Sequence, residues 1–541
     1  MWIESIQLNT FNRLISDYRN QNDLILNKFD YPPYDENSFP KRLAELNERD
    51  FQREALSNLL LQVNREWNAP ESTLHNIERI QDSRSVVVIG GQQAGLLTGP
   101  LYTIHKIVSI IQLAKAKEAQ LGIPVIPVFW IAGEDHDFDE INHIMLEMQS
   151  RMKKFKTLQR VHSKMSMSDF FIDKDITRQW MERVFEQLNE TQHTASIHEK
   201  FSKIIETSDT FVDFFANLIF YLFDQEGLVL VDSGDKRLRK LESSYFKQMI
   251  EHQPAISEGV YKSSQQVKQS GYNISLEVLP EEGHLFYHLD GARVLLTKDE
   301  EGNWVGKQNE CVFTSEELLD IASNHPELLS NNVVTRPIMQ DLVFPTLAFL
   351  GGPGEVGYWS ILKPGFHALN LKMPPVLPRL SLTIINRNVE KSLHKYGLDP
   401  SQVVCDGVDL QRSQWLANQT TPPIERLADQ VKLSIERAHL PMKQLAKDLR
   451  PDLGEVAEKN LIYLFRDVDF LQDKLLQALE EKHGKALSEF DTLSVMMRPE
   501  GGLQERYWNI LPFINQYGKD IVKGILDQSY AFDQEHYLLY I

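Results

Sequence analysis

The segment 86–106 constrains the fold more than any other part of the sequence. It reads VVVIGGQQAGLLTGPLYTIHK, so that four β-branched residues precede a glycine-rich turn and apolar residues return at helical spacing after Pro100. A β-branched run bounded by glycines is typical of a strand covered on both faces, as in a parallel sheet. The segment therefore predicts a strand, a tight turn and a helix, an arrangement at which α/β proteins bind ligands.

The turn of this segment carries groups that suit an anionic ligand. Glycines let the backbone approach a ligand closely, and free amides at a helix start attract phosphate or carboxylate. The spacing matches neither the G-x-G-x-x-G pattern of dinucleotide sites nor the P-loop pattern. A connection that binds no ligand is the alternative. The residues predicted to contact a phosphate or carboxylate are Gly90, Gly91, Gln92, Gln93, Gly95, Thr98, Gly99, His105 and Lys106.

A second segment has the same form, because the apolar run 123–132 leads into Gly133-Glu134-Asp135-His136-Asp137. The carboxyl ends of parallel strands meet at one edge of a sheet, so both polar runs are expected to converge on one crevice. We predict Asp135, His136 and Asp137 as catalytic residues, because titratable groups clustered at a strand end are typical of active sites, and His105 as a catalytic residue that stabilises phosphate or carboxylate charge. Acidic residues also complement a helix N-terminus, which is the alternative for this run.

A metal site is a further alternative at the same place. If the run after the strand were helical, His136, Asp139 or Glu140, and His143 would share one face. Such a face could hold the metal ion of a metal-dependent hydrolase. The spacing itself is not diagnostic.

The third chemical region, 334–359, repeats the order of strand, glycines and helix. Its glycines permit close approach of the backbone, and Glu355 could receive an amine or ribose hydroxyls. The Arg336 guanidinium suits a carboxylate or phosphate. Two structural alternatives stay open: Glu355 caps the first helical turn, and Arg336 pairs with Asp341. The predicted binding residues here are Arg336, Gln340, Asp341, Gly351, Gly352, Gly354, Glu355 and Tyr358.

In these regions the chain resembles the cysteine-adding ligases of bacillithiol biosynthesis. The resemblance implies a nucleotidyltransferase-like Rossmann core with inserted connecting segments and a helical coiled-coil domain that dimerises. The implied reaction joins cysteine to the amine of glucosaminyl malate. The runs that carry the resemblance are GGQQAGLLTGPLYTIHK at 90–106, FWIAGEDHDF at 129–138, RPIMQD at 336–341, LGGPGEVGYW at 350–359 and VLPR at 376–379.

The implied reaction sets the expected ligands. Amide formation from a carboxylate needs a leaving group, so we expect ATP or ADP at the site, with magnesium only as the companion of the nucleotide. The malate carboxylates need cationic partners, for which Arg336 and Arg379 are candidates. The sequence contains no paired cysteine motif, so a resident zinc ion is not expected. A non-catalytic nucleotide-binding scaffold or sensor is the opposing class of function.

The run at 163–168 is similar to a short synthetase motif but does not fit it in full. The run SKMSMS at 163–168 is similar to the KMSKS loop of class I synthetases, whose lysines stabilise phosphate charge. Met167 takes the place of the second lysine, the run precedes the third predicted strand, and the first turn lacks the companion HxGH motif. Synthetase catalytic residues are therefore not assigned to it.

Composition narrows the class of protein. The chain has 541 residues and 42% hydrophobic content, enough for two or three domains. Its net charge of −19 argues against a general nucleic-acid surface. Cys311 and Cys405 cannot form a disulfide framework, the first residues do not resemble a signal peptide, and no run has the length of a membrane span. We expect a cytoplasmic enzyme.

The apolar pattern predicts four regions. A helical lead-in spans 1–85, and a Rossmann-like α/β core spans 86–380 with insertions near 145–225 and 255–335. Asp290-Gly291 signals a hairpin in the second insertion. A helical coiled-coil domain covers 381–497, and a C-terminal segment covers 498–541. The predicted parallel strands of the core are 86–90, 124–132, 228–232, 345–350 and 375–379, with helices at 103–120 and 235–251.

Two long helices dominate the predicted coiled-coil domain. The stretch 424–448 and a helix containing 457–478 should form an antiparallel hairpin, because only 449–453 connect them. Packing on the core is the alternative to pairing with a second copy. The predicted seam residues are Leu427, Val431, Leu433 and Ile435 in the first helix and Ala457, Leu461, Leu464, Val468, Leu471, Leu475 and Ala478 in the second.

Overall fold

The computed structural model describes residues 1–8, 12–161 and 165–541. Ser163 and Lys164 of the SKMSMS run lie outside the described residues. The chain forms two compact units. The first contains Met1–Met148, Met152–Ile384 and Gln504–Ile541, and the second contains Gln149–Arg151 and Ile385–Leu503.

The strands build one parallel sheet and several antiparallel ones. In chain order they are β1 (Trp2–Ile6), β2 (Val86–Gln92), β3 (Val125–Ile131), β4 (His143–Met148), β5 (Arg151–Lys156), β6 (Val229–Asp232), β7 (Glu282–Leu289), β8 (Ala292–Lys298), β9 (Trp304–Gly306), β10 (Val312–Phe313), β11 (Leu329–Asn331), β12 (Thr346–Gly351), β13 (Val376–Pro378), β14 (Leu382–Ile385) and β15 (His536–Tyr540).

Helices make up most of the remaining chain. In order they are α1 (Arg13–Arg19), α2 (Asp23–Leu26), α3 (Ser38–Leu46), α4 (Arg53–Glu66), α5 (Glu71–Arg79), α6 (Leu101–Leu121), α7 (Phe138–Ile141), α8 (Lys174–Phe185), α9 (Thr194–Thr207), α10 (Phe211–Leu222), α11 (Lys236–Glu251), α12 (Gln253–Gln269), α13 (Ser315–Asn324), α14 (Thr335–Val343), α15 (Pro353–Trp359), α16 (Lys363–Ala368), α17 (Arg387–Tyr396), α18 (Pro400–Asp406), α19 (Asp409–Ala417), α20 (Ile424–Leu449), α21 (Pro451–Lys482), α22 (Gly484–Met497), α23 (Leu511–Tyr517) and α24 (Asp520–Leu526). Short 3₁₀ turns cover Leu96–Thr98, Met167–Asp169, Pro326–Leu328, Pro499–Gly501 and Gln504–Arg506.

The core of the first unit is a five-stranded parallel sheet in the order β13-β12-β2-β3-β6. All five predicted strands are confirmed. Their side chains are almost entirely buried, as expected for a sheet with helices on both faces. Helix α6 packs on β2 and β3 and ends at Gly122, whose left-handed conformation closes the helix. The predicted Rossmann-like class is therefore confirmed.

The two long crossovers of this sheet carry additional structure. Between β3 and β6 lie a short hairpin and four helices, α7 to α10. Between β6 and β12 lies an antiparallel sheet in the order β10-β9-β8-β7-β11. The predicted hairpin in it is confirmed, since β7 and β8 join through Asp290 and Gly291, both with positive φ.

In the second unit, α20 and α21 form the predicted helical hairpin, with Arg450 alone between them. Within one chain, the predicted seam is packed only as far as Val468. Leu471, Leu475 and Ala478 are exposed, while the side facing α20 continues through Gln472, Leu476 and Leu479. A helix of 3.6 residues per turn drifts from a strict seven-residue repeat, so the packed stripe moves to new positions.

The first helix of the hairpin differs from the prediction in the same way. Leu427, Val431 and Leu433 are exposed, and only Ile435 of the predicted set is half-buried. The buried positions of α20 are Ala428 and His439, and the imidazole of His439 lies 3.2 Å from the Asn460 side chain of α21.

The last part of the chain returns to the first unit. β15 pairs with β1 in antiparallel register, in the three-stranded sheet β1-β15-β14. The sequence groups 498–541 as one segment, whereas the first unit begins again at Gln504. Within the described parts of the chain, no helix is both long and apolar enough to cross a membrane.

Candidate active site

A cavity of about 550 Å³ lies where β2, β3, β12 and β13 reach their carboxyl ends. This is the edge at which open α/β sheets bind ligands. Most of the predicted residues meet there, and others are added. The predicted residues that line it are Gly91, Gln92, Gln93, Lys106, Asp135, Arg336, Gly352, Gly354, Glu355, Tyr358 and Arg379, and the added residues are Tyr102, Ala132, Glu140, Ser275, Val333, Pro353 and Arg506.

Lys106 occupies the inner end of this first cavity. Its ammonium donates to the Gly91 carbonyl oxygen at 2.6 Å and to Gln92 Oε1 at 3.0 Å, and it forms an ion pair with Glu355. Its side chain is 1% exposed. Burial lowers the pKa of Lys106 from its ordinary value, and the neighbouring Glu355 carboxylate opposes that change. The first glycine turn and the second are thus joined by one cation.

Glu355 has two functions in this arrangement. Its carboxylate accepts the Gly352 amide at 2.7 Å, which confirms the helix-capping alternative for this residue. The same oxygen pairs with Lys106.

Gly91, on β2, is in close contact with the neighbouring strand. A Cβ atom at Gly91 would lie 2.3 Å from the Trp130 carbonyl oxygen. Glycine is therefore required at 91 by the neighbouring strand β3 and not only by a ligand.

Arg336 and Asp135 lie on the side of the cavity formed by α14 and the end of β3. Arg336 donates to the Tyr358 hydroxyl, so the predicted alternative of a pair with Asp341 is wrong. Burial raises the pKa of Tyr358 to about 12, which keeps its hydroxyl protonated. Gln93 Nε2 donates to Asp135 Oδ2 at 2.7 Å. The second Asp135 oxygen accepts the His136 amide at 2.7 Å, so the carboxylate is held in place.

Arg379 is positioned by the C-terminal part of the chain. It forms two bonds with Glu505, at 2.7 and 2.6 Å, and Glu505 also lies 2.9 Å from His105 Nδ1. Burial alone would raise the pKa of Glu505, but Arg379 and His105 hold it well below its ordinary value. Burial lowers the pKa of His105. His105 does not line the cavity, so its placement makes it a positioning residue and does not support the predicted contact with a phosphate or carboxylate.

Arg506 and Glu140 are cavity residues that the sequence reasoning missed. Arg506 follows Glu505 directly and brings a fourth cation to a cavity already lined by Lys106, Arg336 and Arg379. The signal available was the dense polar and aromatic run QERYWN that follows Gly501-Gly502. A binding surface made of segments far apart in sequence gives no local pattern.

The glycine turn after β2 is braced from the C-terminal segment. Asn509 Nδ2 donates to the carbonyl oxygens of Leu97 and Gly99, at 2.8 and 2.6 Å. Leu97 and Thr98 both have positive φ, a costly conformation for residues other than glycine. The Leu101 amide donates to the Trp508 carbonyl oxygen at 2.7 Å, so the predicted free amide at this helix start is wrong. The predicted residues of this turn and strand that do not line the cavity are Gly90, Gly95, Thr98 and Gly99.

Asp341 belongs to a different cluster. Its carboxylate pairs with Arg42 and, at 2.7 Å, with Arg49, and its carbonyl oxygen accepts a second bond from Arg49. Arg42 is fully buried and also donates to the Thr346 carbonyl oxygen. The prediction of Asp341 as a ligand contact is therefore wrong, because its two carboxylate oxygens hold α3 and the segment that follows α3 on α14. Gln340 is buried beside it and, like Gly351, does not line the cavity.

His136 and Asp137 lie outside the first cavity, along a groove that continues beside α7 and β5. The helix needed for the metal-site alternative covers only Phe138–Ile141, and His143 begins strand β4. The predicted shared face is therefore not formed. Across the described ranges, no group of three or more His, Cys, Asp or Glu side chains is arranged to hold a metal ion.

Asp232 supports the turn that presents Asp135. It ends β6, is buried, and accepts the Ser168 hydroxyl and the Gly234 amide, both at 2.9 Å. Ser166 Oγ in turn donates to the Gly133 carbonyl oxygen at 2.8 Å. Burial raises the pKa of Asp232 to about 7. The described part of the SKMSMS run therefore packs on this turn.

Comparison with known proteins agrees with the fold. Residues 1–380 match the family model described as "Bacillithiol biosynthesis BshC, N-terminal Rossmann-like domain", and residues 382–541 match "Bacillithiol biosynthesis BshC, C-terminal coiled-coil domain". A protein of Oceanobacillus iheyensis named "Putative cysteine ligase BshC" is 41% identical over 542 residues, covering 99% of each chain. A protein of the same name from Bacillus cereus (strain AH187) is 40% identical over 526 residues, covering 97% of each.

A solved structure titled as a putative arginyl tRNA synthetase from Campylobacter jejuni is 11% identical and covers 90% of this chain and 100% of the other. Its TM-score of 0.22 is too low to support an inference. The two family models together span nearly the whole sequence, and the relatives are similar along their full length. The chain belongs to the BshC family of bacillithiol biosynthesis.

Proposed function

We propose that this protein is a ligase that joins the carboxylate of cysteine to the amine of glucosaminyl malate through an amide bond. The relatives that carry the name of a cysteine ligase support the first half of this proposal. The composition of the first cavity supports the second half, because it combines anion-binding groups with a carboxylate suited to an amine. We further propose that it acts in the cytoplasm.

The observation that carries the proposal is the meeting of four cations and Asp135 around one cavity. Lys106, Arg336 and Arg379 come from three different elements, and Arg506 comes from the C-terminal segment. Cations held in fixed positions stabilise charge that develops on phosphate or carboxylate oxygens. Asp135 faces the same space and can orient an amine or accept its proton.

ATP would supply the leaving group that a free carboxylate lacks. The fit of this group rests on the four cations that line the cavity beside the two glycine turns. Lys106 and Arg506 would stabilise phosphate oxygens, and Arg336 and Arg379 would hold the carboxylates of the acceptor. A cysteine carboxylate oxygen would first bond to a phosphorus of ATP while a phosphorus–oxygen bond of ATP breaks, which releases pyrophosphate or ADP. The amine nitrogen would then bond to the cysteine carbonyl carbon, the carbon–oxygen bond to the phosphate would break with AMP or phosphate leaving, and Asp135 would take the released proton.

The test is turnover by the purified protein. We expect ATP with magnesium, cysteine and glucosaminyl malate to give a thiol product whose mass is that of the two substrates less one water. Mass spectrometry identifies it, and the appearance of AMP or of ADP shows which phosphate is transferred. Binding of nucleotide without any product would contradict the ligase and favour the scaffold or sensor.

A variant pair separates the site from general damage. Asp135→Asn should reduce turnover by about 100-fold or more, the lower range for general acid–base groups. Asp139→Asn is the matched control, because Asp139 is exposed, pairs with Lys156 and does not line the cavity. Equal turnover in the two variants would exclude Asp135 as the amine partner.

A further inference from the structure

A second cavity, of about 390 Å³, lies beside the first. The two share Ala132, Asp135, Val333 and Arg336, so a ligand at the first can extend into the second. The proposed chemistry of the first cavity does not account for the second. The lining residues on which its chemistry depends are Glu134, Glu277, Glu282, Phe286, Arg293 and Asn331.

Asn331 is the distinctive residue of the second cavity. Its side chain is 1% exposed, and neither its amide oxygen nor its amide nitrogen has a hydrogen-bond partner among residues 1–8, 12–161 and 165–541. Buried polar groups are nearly always paired, and an unpaired one is costly. A group that lines a cavity in this condition indicates a ligand that supplies the missing partners.

The residues next to Asn331 are satisfied, which makes the contrast specific. Ser330 Oγ lies 3.0 Å from His288 Nε2 and 3.1 Å from Arg293 Nε. Asn332 Nδ2 lies 3.1 Å from His284 Nδ1, and its amide oxygen accepts from the Val334 amide at 2.8 Å. The backbone of Asn331 is also paired, since its carbonyl oxygen accepts from Arg293. Of these three consecutive residues, Asn331 alone keeps an unpaired side-chain group within the described ranges, and Arg336 Nε is a second unpaired polar atom in the lining of this cavity.

The two cavities differ in charge. Four carboxylates line the second, from Glu134, Asp135, Glu277 and Glu282, against the guanidinium groups of Arg293 and Arg336. Glu134 is neutralised by its pair with Arg239. Asp135, by contrast, accepts hydrogen bonds within the described ranges only from uncharged groups, which include the Gln93 amide and the His136 backbone amide, and so keeps its charge for a ligand. This surplus of acid disfavours phosphate or a dicarboxylate and favours hydroxyl groups and an ammonium. The Phe286 ring adds an apolar wall, with the Arg293 guanidinium 4.0 Å from its centroid.

We propose that the second cavity binds the hydroxyl-bearing glucosamine ring of the acceptor, and that the Asn331 amide exchanges hydrogen bonds with its hydroxyls. This inference rests on the proposed function. An amide presents one acceptor and two donors, which matches hydroxyls that both give and receive. With the ring there, its amine lies near Asp135 at the junction of the cavities, and the malate carboxylates reach Arg336 on the side of the first cavity.

The decisive variant is Asn331→Leu, which removes the amide at nearly constant shape. Because no protein bond is lost, thermal stability should stay equal or rise. The Kd of glucosaminyl malate, measured by calorimetry, should increase about 10-fold or more, the loss of about two hydrogen bonds. The Kd of free malate and the KM of cysteine should not change. Acceptor analogues that lack one ring hydroxyl should bind the wild type less well but bind the variant like the full acceptor.

Asn515→Leu is the matched control, because Asn515 is equally buried but its amide is bonded to Asn189 and Thr194. It should lose stability and keep acceptor affinity. An unchanged Kd for glucosaminyl malate in Asn331→Leu, or a raised KM for cysteine instead, would overturn the proposal, as would a wild-type protein that does not bind the acceptor. If the wild type binds the acceptor through Asn331 but forms no product, the sugar site stands and the proposed ligase reaction fails.

Discussion

The first unit contains two buried ion pairs with different functions. Lys106 pairs with Glu355, and Arg42 pairs with Asp341. Both place a nearly inaccessible cation on a carboxylate. Around Asp341 every side is protein, since Arg49 occupies the second carboxylate oxygen. Around Lys106 and Glu355 one side opens on the first cavity. Access to a cavity, rather than the ion pair itself, therefore distinguishes a ligand site from a structural contact. We call the Arg42–Asp341–Arg49 cluster the clamp.

The largest effect is expected at the clamp. Asp341→Asn removes the carboxylate shared by the fully buried Arg42 and by Arg49, and should lower the free energy of unfolding by about 3 kcal/mol, the low end of the cost of breaking a buried pair, because Glu45 still pairs with Arg42. Urea denaturation measures it. The control Asp82→Asn breaks an exposed pair with Arg84 and should cost at most about 1 kcal/mol. A loss of acceptor binding in Asp341→Asn without loss of stability would return Asp341 to the site.

At the first cavity we expect a substitution to lower turnover more than it lowers stability, the opposite of the result expected for Asp341→Asn. Lys106→Met removes a cation from the proposed phosphate position and should lower kcat by about 100- to 1000-fold, or about 2.7–4 kcal/mol, as for one preorganised donor. Stability should fall less than in Asp341→Asn, because Glu355 keeps the Gly352 amide and partial contact with solvent. Lys117→Met on the same helix, whose partner Glu36 is exposed, is the control. Turnover that falls equally in both variants would argue against a specific role of Lys106.

The comparison also explains what sequence reasoning could and could not reach. The five strands of the parallel sheet were predictable, because runs such as Val86-Val87-Val88-Ile89 are buried on both faces and carry a local signal. The convergence of Gln92 and Gln93 with Asp135 followed from the rule for strand ends, because the two runs follow neighbouring parallel strands. These inferences need only neighbours in sequence.

What could not be predicted depends on distant partners. Asp341 was assigned to the site because Arg42 and Arg49, 299 and 292 positions away, give no local sign of pairing with it. For the same reason, the sequence does not show that Glu505 pairs with His105 and Arg379, or that the amide of Asn331 has no partner among the described residues. The seam of α21 is a different case, because packing inside the hairpin follows the predicted heptad only to Val468, and whether a second copy covers the later positions stays a prediction.

Asp232 is a third case, a buried carboxylate whose hydrogen bonds come from Ser168 and Gly234. Since its pKa is about 7 in the fold and near 3.9 when unfolded, the folded state holds the extra proton between these values. Its contribution to stability is complete at low pH and is lost as the pH rises through 7. Between pH 5.5 and 8 the wild type should lose about 2 kcal/mol from this group. Denaturation curves of Asp232→Asn should lack that part of the slope, and an equal slope in both proteins would contradict the assignment.

The smallest effect on chemistry is expected in the second unit, where α21 repeats the contrast between a satisfied and an open face. Leu464 is half-buried in the hairpin, whereas Phe470 and Leu471 are 65% and 58% exposed. We propose that a second copy of the chain covers this open stripe, because a broad apolar face needs cover and twofold pairing is the commonest assembly. Phe470→Glu with Leu471→Glu should give a monomer by light scattering while turnover per chain changes less than about twofold, since no cavity residue is altered.

Leu464→Glu provides the contrast for that double variant. It places a charge inside the hairpin, so helix content measured by circular dichroism should fall, whereas the double variant should keep it. A wild-type protein that is already monomeric at micromolar concentration would contradict pairing through this stripe. A double variant that stays dimeric would show that the two copies pair through another surface of the chain. The exposed stripe of α21 that contains Phe470 and Leu471 would then have no role in pairing.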